Sequence, residues 1–410
     1  GENKSNQASG LFVSSHGRYV WSDKPFSFAF KDGQLTADGP GTFAQGQAPD
    51  RTLRGAYRIA QRDLFPPSGK MPDTLLFTAP QWNTWIELTY NQNQADILKY
   101  ADSLLAHGFP PCVLMIDDTW QADYGVWRFE PRRFPDPKAM CDMLHKKGFK
   151  IMLWICPFVS ADTPEYREIA DGKGGFLMDA TRPGRTALFR WWNGYSACLD
   201  FSHPNGHAWF KAQLDRLQRD FGVDGFKFDA GDATLYATET FTAHDPAAAA
   251  PEEQSRLFGA IGLSSPLNEY RAMWQMGGQP LAERLCDKDH SWNAIHQCAS
   301  DIVIQGLLGY PFACPDMVGG GSWAAFLPGA KFEKKLVVRS AQTAALMPMI
   351  QFSLNPWRVM TAPGDEKYLD AITKVVAIRQ ARVPQILALA ENAAKTGDPR
   401  VAITFAVTVP

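Results

Sequence analysis

Val223-Asp224-Gly225-Phe226-Lys227-Phe228-Asp229-Ala230-Gly231-Asp232 is the stretch on which the reading of this chain turns. Side chains alternate along a strand, so Gly225, Lys227 and Asp229 share one face while Phe226 and Phe228 share the other. The phenylalanines suit an apolar layer between strands and helices. Lys227 and Asp229 then point into an interior, and a buried ammonium is costly unless it is paired. Lys227 therefore implies neighbouring carboxylates, and its charge favours the ionised form of Asp229. A plain interior ion pair is the simpler alternative, but it leaves the surrounding aspartates unexplained.

Working outward, short apolar runs alternate with helix-like stretches, the signature of a parallel sheet. The strands predicted are 75–79, 112–117, 150–156, 197–201, 225–229, 282–286, 312–316 and 349–353, which makes 225–229 the fifth. Helices are predicted over 94–107, 137–147, 206–220, 255–276, 292–306, 332–346 and 367–381. Eight strands closing on themselves give a (β/α)8 TIM barrel of the α/β class; an open doubly wound sheet is the alternative. In such a barrel the carboxyl ends of the strands line the active site. The barrel is expected over 71–385, after a short β-rich segment over 1–70 that includes Arg18-Tyr19-Val20-Trp21. A truncated β tail over 386–410, with one or two strands in 401–409, is expected to follow.

Composition narrows the function classes. The 41 Lys and Arg nearly balance the 43 Asp and Glu, so no global field favours nucleic acid or an anionic membrane. No apolar run approaches the roughly 18 residues a spanning helix needs. The seven cysteines form no CxxC pair, and an odd number argues against a full disulfide framework. The first residue is Gly1 rather than Met, consistent with a processed chain. A periplasmic or secreted location is preferred to a cytoplasmic one. His203 and His207 alone have ligand-like spacing, and no accompanying motif makes them a metal site. No metal or cofactor is expected.

The other strand ends carry more acids. Asp287 ends the sixth predicted strand and is the favoured general acid/base; Asp289 rivals it, although Asp289 or Ser291 is equally suited to cap the next helix. Asp117-Asp118 ends the second strand and is suited to hydroxyl groups, a metal or a loop cap. Asp316 ends the seventh. Tryptophans 82, 85, 120, 127, 154, 191, 192, 292 and 323 fall near predicted strand ends, and indoles suit the C–H faces of sugar rings. Arg190-Trp191-Trp192-Asn193-Gly194 is the group most suited to a site. Acids with tryptophans and few histidines point to acid–base chemistry on a sugar.

With these residues in place, the chain resembles glycoside hydrolase family 31. The resemblance rests on Asp117-Asp118-Thr119-Trp120, on Phe134-Pro135-Asp136-Pro137, on 144–154 ending in Trp154, on Phe226-Lys227-Phe228-Asp229-Ala230-Gly231, on Asp287-Lys288-Asp289-His290-Ser291-Trp292 and on Pro315-Asp316-Met317-Val318-Gly319-Gly320. It covers roughly 74–400 and is strongest to the branch of myogenesis-regulating glycosidase and bacterial α-galactosidases. The resemblance implies Asp229 as nucleophile, Asp287 as acid/base, and Trp192, Lys227 and Arg271 as contacts to the cleaved sugar. It also implies Asp117, Asp118, Trp154 and Asp316 as further members of the pocket. Gln351 and Ser353 stand where many members carry Arg and His, a departure similar to the galactosidase branch. The expectation is a retaining exo-acting enzyme that removes terminal α-linked galactose from an oligosaccharide or glycoconjugate. An α-glucosidase or α-xylosidase on the same machinery, or an inactive sugar-binding barrel, are the alternatives. Asp287 should be protonated at rest, through burial or the nearby negative Asp229.

Overall fold

A computed structural model describes residues 7–399 except 173 and 328. Eight short parallel strands run in the order β1 (Gln81–Asn83), β2 (Val113–Ile116), β3 (Lys150–Ile155), β4 (Gly225–Phe228), β5 (Asn268–Tyr270), β6 (Glu283–Arg284), β7 (Ala313–Cys314) and β8 (Gln351–Phe352). Phe352 pairs with Trp82, and a parallel bridge from Met317 to Gln351, with the Val318 amide donating to the Gln351 carbonyl at 2.8 Å, closes the ring. The fold is the (β/α)8 barrel.

The interior is layered by register. Asn83, Met115, Met152 and Gly225 stand side by side across β1 to β4, beneath a layer in which Trp154, Lys227 and Glu269 are neighbours. Glycine is needed at 225, where a Cβ would come within 2.0 Å of the Leu267 carbonyl oxygen. Phe226 and Phe228 face the other way into the main apolar core, as the alternation predicted.

The outer helices are α1 (Gln94–Ala106), α2 (Pro137–Lys146), α3 (Pro204–Phe221), α4 (Pro251–Ile261), α5 (Trp292–Leu307), α6 (Lys334–Ala344) and α7 (Glu366–Thr396). The starts of α2 and α3 are written in the sequence. Asp136 accepts from the Ala139 amide at 2.9 Å with Pro137 at the first helical position, and His203 caps α3 through its ring ahead of Pro204.

Several expected elements differ. Residues Leu75–Thr78 form a helical turn, and the first strand follows it at Gln81–Asn83. The stretch expected as a fourth strand, 197–201, is instead the end of Gly194–Cys198 in a three-stranded antiparallel sheet with Leu188–Trp191 and Phe158–Val159, outside the barrel. The helix expected over 255–276 stops at Ile261, and β5 lies in its second half. Asp229 therefore follows the fourth strand rather than the fifth. No helix separates β5 from β6; the connection carries Met273–Trp274, which pairs with Gln7–Ala8 of the N-terminal segment. That segment is β-rich as expected, but it also holds a helix, Leu53–Leu64. The last helix, α7, continues through 385, and the strands expected in 401–409 lie outside the described residues. Among the described residues no helix is long and apolar enough to cross a membrane.

Candidate active site

The carboxyl ends of the strands open into a cavity of about 250 Å³ lined by Asp117 and Asp118 after β2, Trp154 on β3, Lys227 and Asp229 at β4, Arg271 after β5, and Arg284 and Asp287 at β6. Trp85, Tyr90, Trp192, Met317 and Trp323 complete the wall. Every residue predicted for the site except Asp316 lines this cavity.

Asp229 is buried. Its carboxylate accepts from the Trp154 indole N–H at 2.8 Å and from the Ala230 amide at 3.0 Å. Burial alone would raise its pKa, but the charges of Arg271, Lys227 and Arg284 and the Trp154 hydrogen bond outweigh it and hold the group below the ordinary aspartate value. Ala230, the next residue, has φ of 58°, an uncommon conformation for a residue with a Cβ that turns the chain sharply just after Asp229.

Arg271 joins the two candidate catalytic acids. Its Nε lies 3.7 Å from Asp229 Oδ1 and its Nη1 3.6 Å from Asp287 Oδ2. The same guanidinium donates to Asp232 at 3.0 Å and lies over the Trp192 ring, 5.1 Å from its centroid. Asp287 also accepts from Arg284 Nη1 at 2.6 Å. Its side chain is 38% exposed, so the burial expected around it is absent. The two acids do not come from neighbouring strands: β5 stands between β4 and β6 and supplies Arg271.

The inner end of the cavity is polar. Lys227 and Asp117 form a buried ion pair. Burial works against the Lys227 ammonium, yet Asp117, Asp229 and Glu269 overcome it and raise its pKa. Asp118 accepts from the Thr119 amide at 2.6 Å, Gln121 at 3.1 Å, the Tyr124 hydroxyl at 3.1 Å and Asn193 at 3.3 Å. Burial, with Asp117 adding to it, nonetheless lifts its pKa to about 6. The Asn193 bond draws the hairpin tip that carries Trp192 over the barrel mouth.

Asp316 sits behind the wall. It accepts from Arg284 at 3.1 Å, the Lys288 amide at 2.8 Å and the Gly321 amide at 2.9 Å, and burial lifts its pKa to about 6. Its contacts place it as a positioning group for Arg284 and for the loop after β7, not as a surface open to a ligand. Asp289 does not line the cavity, and Ser291 caps α5. Of the tryptophans near strand ends, 85, 154, 192 and 323 face the cavity. Trp82, Trp120, Trp127 and Trp191 are packed in the core, and Trp292 bonds Glu333 on the outer side.

Residues that sequence reasoning did not assign now have places. Glu269, hidden in the expected helix, accepts from Gln351 at 2.7 Å and lies 3.5 Å from Arg284 Nε. Arg284 is an interior hub to Asp287, Asp316 and Glu269; its position two residues before Cys286, in alternation with Leu285, was the available signal. Asp232 is half-buried beside Arg271, from which it accepts at 3.0 Å. Gln351 and Ser353 do not reach the cavity: Gln351 bonds Gln81 and Glu269 within the barrel, and Ser353 Oγ accepts from the Ile86 amide at 2.6 Å.

Residues 77–279 match the Glycosyl hydrolases family 31 TIM-barrel domain. Myogenesis-regulating glycosidase of Mus musculus is 33% identical over 357 residues, which are 84% of this chain and 48% of that protein. Alpha-xylosidase XylQ of Lactiplantibacillus pentosus is 24% identical over 54% of this chain and 29% of its own length. Among solved structures, the cycloalternan-degrading enzyme from Trueperella pyogenes in complex with a covalent intermediate superposes with a TM-score of 0.75 at 18% identity, over 96% of this chain and 61% of that one. The chain thus spans about half or less of the curated relatives named here. On its barrel and its matched sequence, this chain belongs to glycoside hydrolase family 31.

Proposed function

We propose that this chain is the catalytic barrel of a retaining, exo-acting α-glycosidase, with Asp229 as nucleophile and Asp287 as general acid/base. The observation that carries the reading is the single guanidinium of Arg271 within 4 Å of both carboxylates, all three groups lining one cavity. Asp229 is held ionised where an anomeric carbon would sit. Asp287, on the more open side, delivers a proton to the departing oxygen and later takes one from water. A glycosyl ester on Asp229 forms and is then hydrolysed, the two-step course expected when two carboxyls stand about 5–5.5 Å apart. Buried Asp117, Asp118 and Lys227 supply acceptors and a donor for the hydroxyls of one terminal sugar.

The sugar we propose is α-linked galactose, carried by an oligosaccharide or glycoconjugate. The support is the resemblance to the galactosidase branch, together with a last strand that sends neither a cation nor an imidazole into the cavity. An α-xylosidase is the second reading, favoured by the relative of that name. Aryl α-galactoside, α-glucoside and α-xyloside assayed side by side separate the two. Asp229→Ala should abolish turnover, and azide should restore part of it as a glycosyl azide of inverted anomeric configuration. Full activity in Asp229→Ala would refute the mechanism; galactose binding by calorimetry without turnover of any aryl glycoside would leave a sugar-binding barrel.

A further inference from the structure

We infer that Trp323, with Tyr90 behind it, is the platform for the leaving group, and that this leaving group is itself a sugar ring. The inference rests on the assignment of Asp287 as acid/base and extends it to the other half of the substrate.

Proton delivery fixes the direction. The glycosidic oxygen must lie against Asp287, so the leaving group emerges on the Asp287 side, away from the sugar held by Asp117 and Lys227. The backbone on that side is the loop after β7. Gly321 approaches so closely that an added Cβ would stand 2.9 Å from Asp287 Oδ1 and 2.8 Å from Asp316 Oδ1. The loop is tied down there: the Gly321 amide donates to Asp316, the Ser322 amide donates to the Lys288 carbonyl at 3.1 Å, and the Trp85 indole donates to the Gly321 carbonyl at 3.0 Å. Trp323 follows immediately and opens a short 3-10 turn, Trp323–Phe326.

Trp323 is 37% exposed while lining the cavity, and Tyr90 is 44% exposed. Their rings meet edge to face with centroids 6.3 Å apart, and Tyr90 is braced in turn by Trp85 at 5.2 Å. Core packing does not account for two large aromatics left half-open beside an acid. An apolar ring face with a polar rim matches the C–H face of a pyranose. Trp192 also lines the cavity and is 44% exposed, but one face of its ring lies against the Arg271 guanidinium, 5.1 Å from the centroid.

The test uses the full chain with Asp229→Ala, so that bound substrate survives, titrated calorimetrically with methyl α-galactoside and with α-galactosyl disaccharides such as melibiose. The disaccharide that fits should bind at least about tenfold tighter than the methyl glycoside, a gain of about 1.4 kcal/mol. Adding Trp323→Ala should collapse that ratio to within about twofold, and Trp323→Phe should restore part of it. A ratio untouched by Trp323→Ala, or no disaccharide that binds more tightly than the methyl glycoside, overturns the inference. Turnover by the wild-type chain is a separate measurement, so loss of the platform and failure of the glycosidase reading give different results.

Discussion

Replacing Lys227 by Met tests the electrostatic frame of the site directly. Lys227 and Asp117 have side chains only 3% exposed, and each is the other's direct ion-pair partner. Methionine keeps the length and apolar stem but leaves Asp117 buried without that cation; its remaining direct bond comes from the Asp118 amide at 2.8 Å. Removing one partner of a buried pair costs about 3–5 kcal/mol, mostly as the uncompensated charge left behind. Asp117→Asn alone should cost less, because Asp229 and Glu269 also act on the Lys227 ammonium. The double variant leaves no orphan charge, so it should be more stable than the sum of the single losses by roughly 2 kcal/mol, within the range for residues in contact. Urea unfolding of the full chain, followed by the fluorescence of its 13 tryptophans, measures all four corners of the cycle. Single losses that add to within about 0.5 kcal/mol would refute the pairing.

Further consequences are open to kinetics. The raised pKa of Asp118 means that it takes up its proton as pH falls through about 6, so KM should rise below that point. Asp118→Asn should have a high KM at all pH and lose this limb; a limb that persists unchanged assigns it to another group. Trp154→Phe removes the 2.8 Å indole bond to Asp229 while keeping an aromatic ring. A hydrogen bond to a charged group is worth about 1.5–3 kcal/mol, so kcat should fall by roughly ten- to a hundredfold, and the pKa of Asp229 should move upward. Gly321→Ala places a methyl group 2.9 Å from Asp287 Oδ1 and 2.8 Å from Asp316 Oδ1 and should lower kcat; unaltered kcat would show that the loop yields.

The parts of the fold that were legible share a physical cause. Strand β4 shows clean alternation because its two faces meet different surroundings, Phe226 and Phe228 the helix layer and Lys227 the polar interior. Helices α2 and α3 announce themselves by a cap residue followed by proline. Strand β5 hides because its three residues, Asn268-Glu269-Tyr270, include two polar side chains that the fold pairs: Asn268 donates to the nearby Ser265 carbonyl and accepts from the Ala282 amide, and Glu269 meets the distant Gln351 and Arg284. Nothing local marks such a strand as buried. The 194–198 strand was misplaced for the converse reason. Its apolar end, Ala197-Cys198, is as buried as any barrel strand, but it packs in a small antiparallel sheet, and periodicity cannot distinguish the two.

The same reasoning explains why the site's acids were found and its cations partly missed. A carboxylate at a strand end stands out in sequence, because it interrupts an apolar run where a turn begins. Arg284 lies inside the run, and only the closed barrel shows that its interior position puts one guanidinium against Asp287, Asp316 and Glu269. Asp232 was visible three residues after Asp229, yet its role depends on Arg271, which arrives from the hidden strand. The wrong strand count made Asp229 and Asp287 neighbours, whereas the inserted β5 is what sets Arg271 between them. Without that intervening strand Asp229 would lose the largest of the charges that offset its burial, leaving Lys227, Arg284 and the Trp154 hydrogen bond to hold the carboxylate ionised, and no single guanidinium would reach both acids.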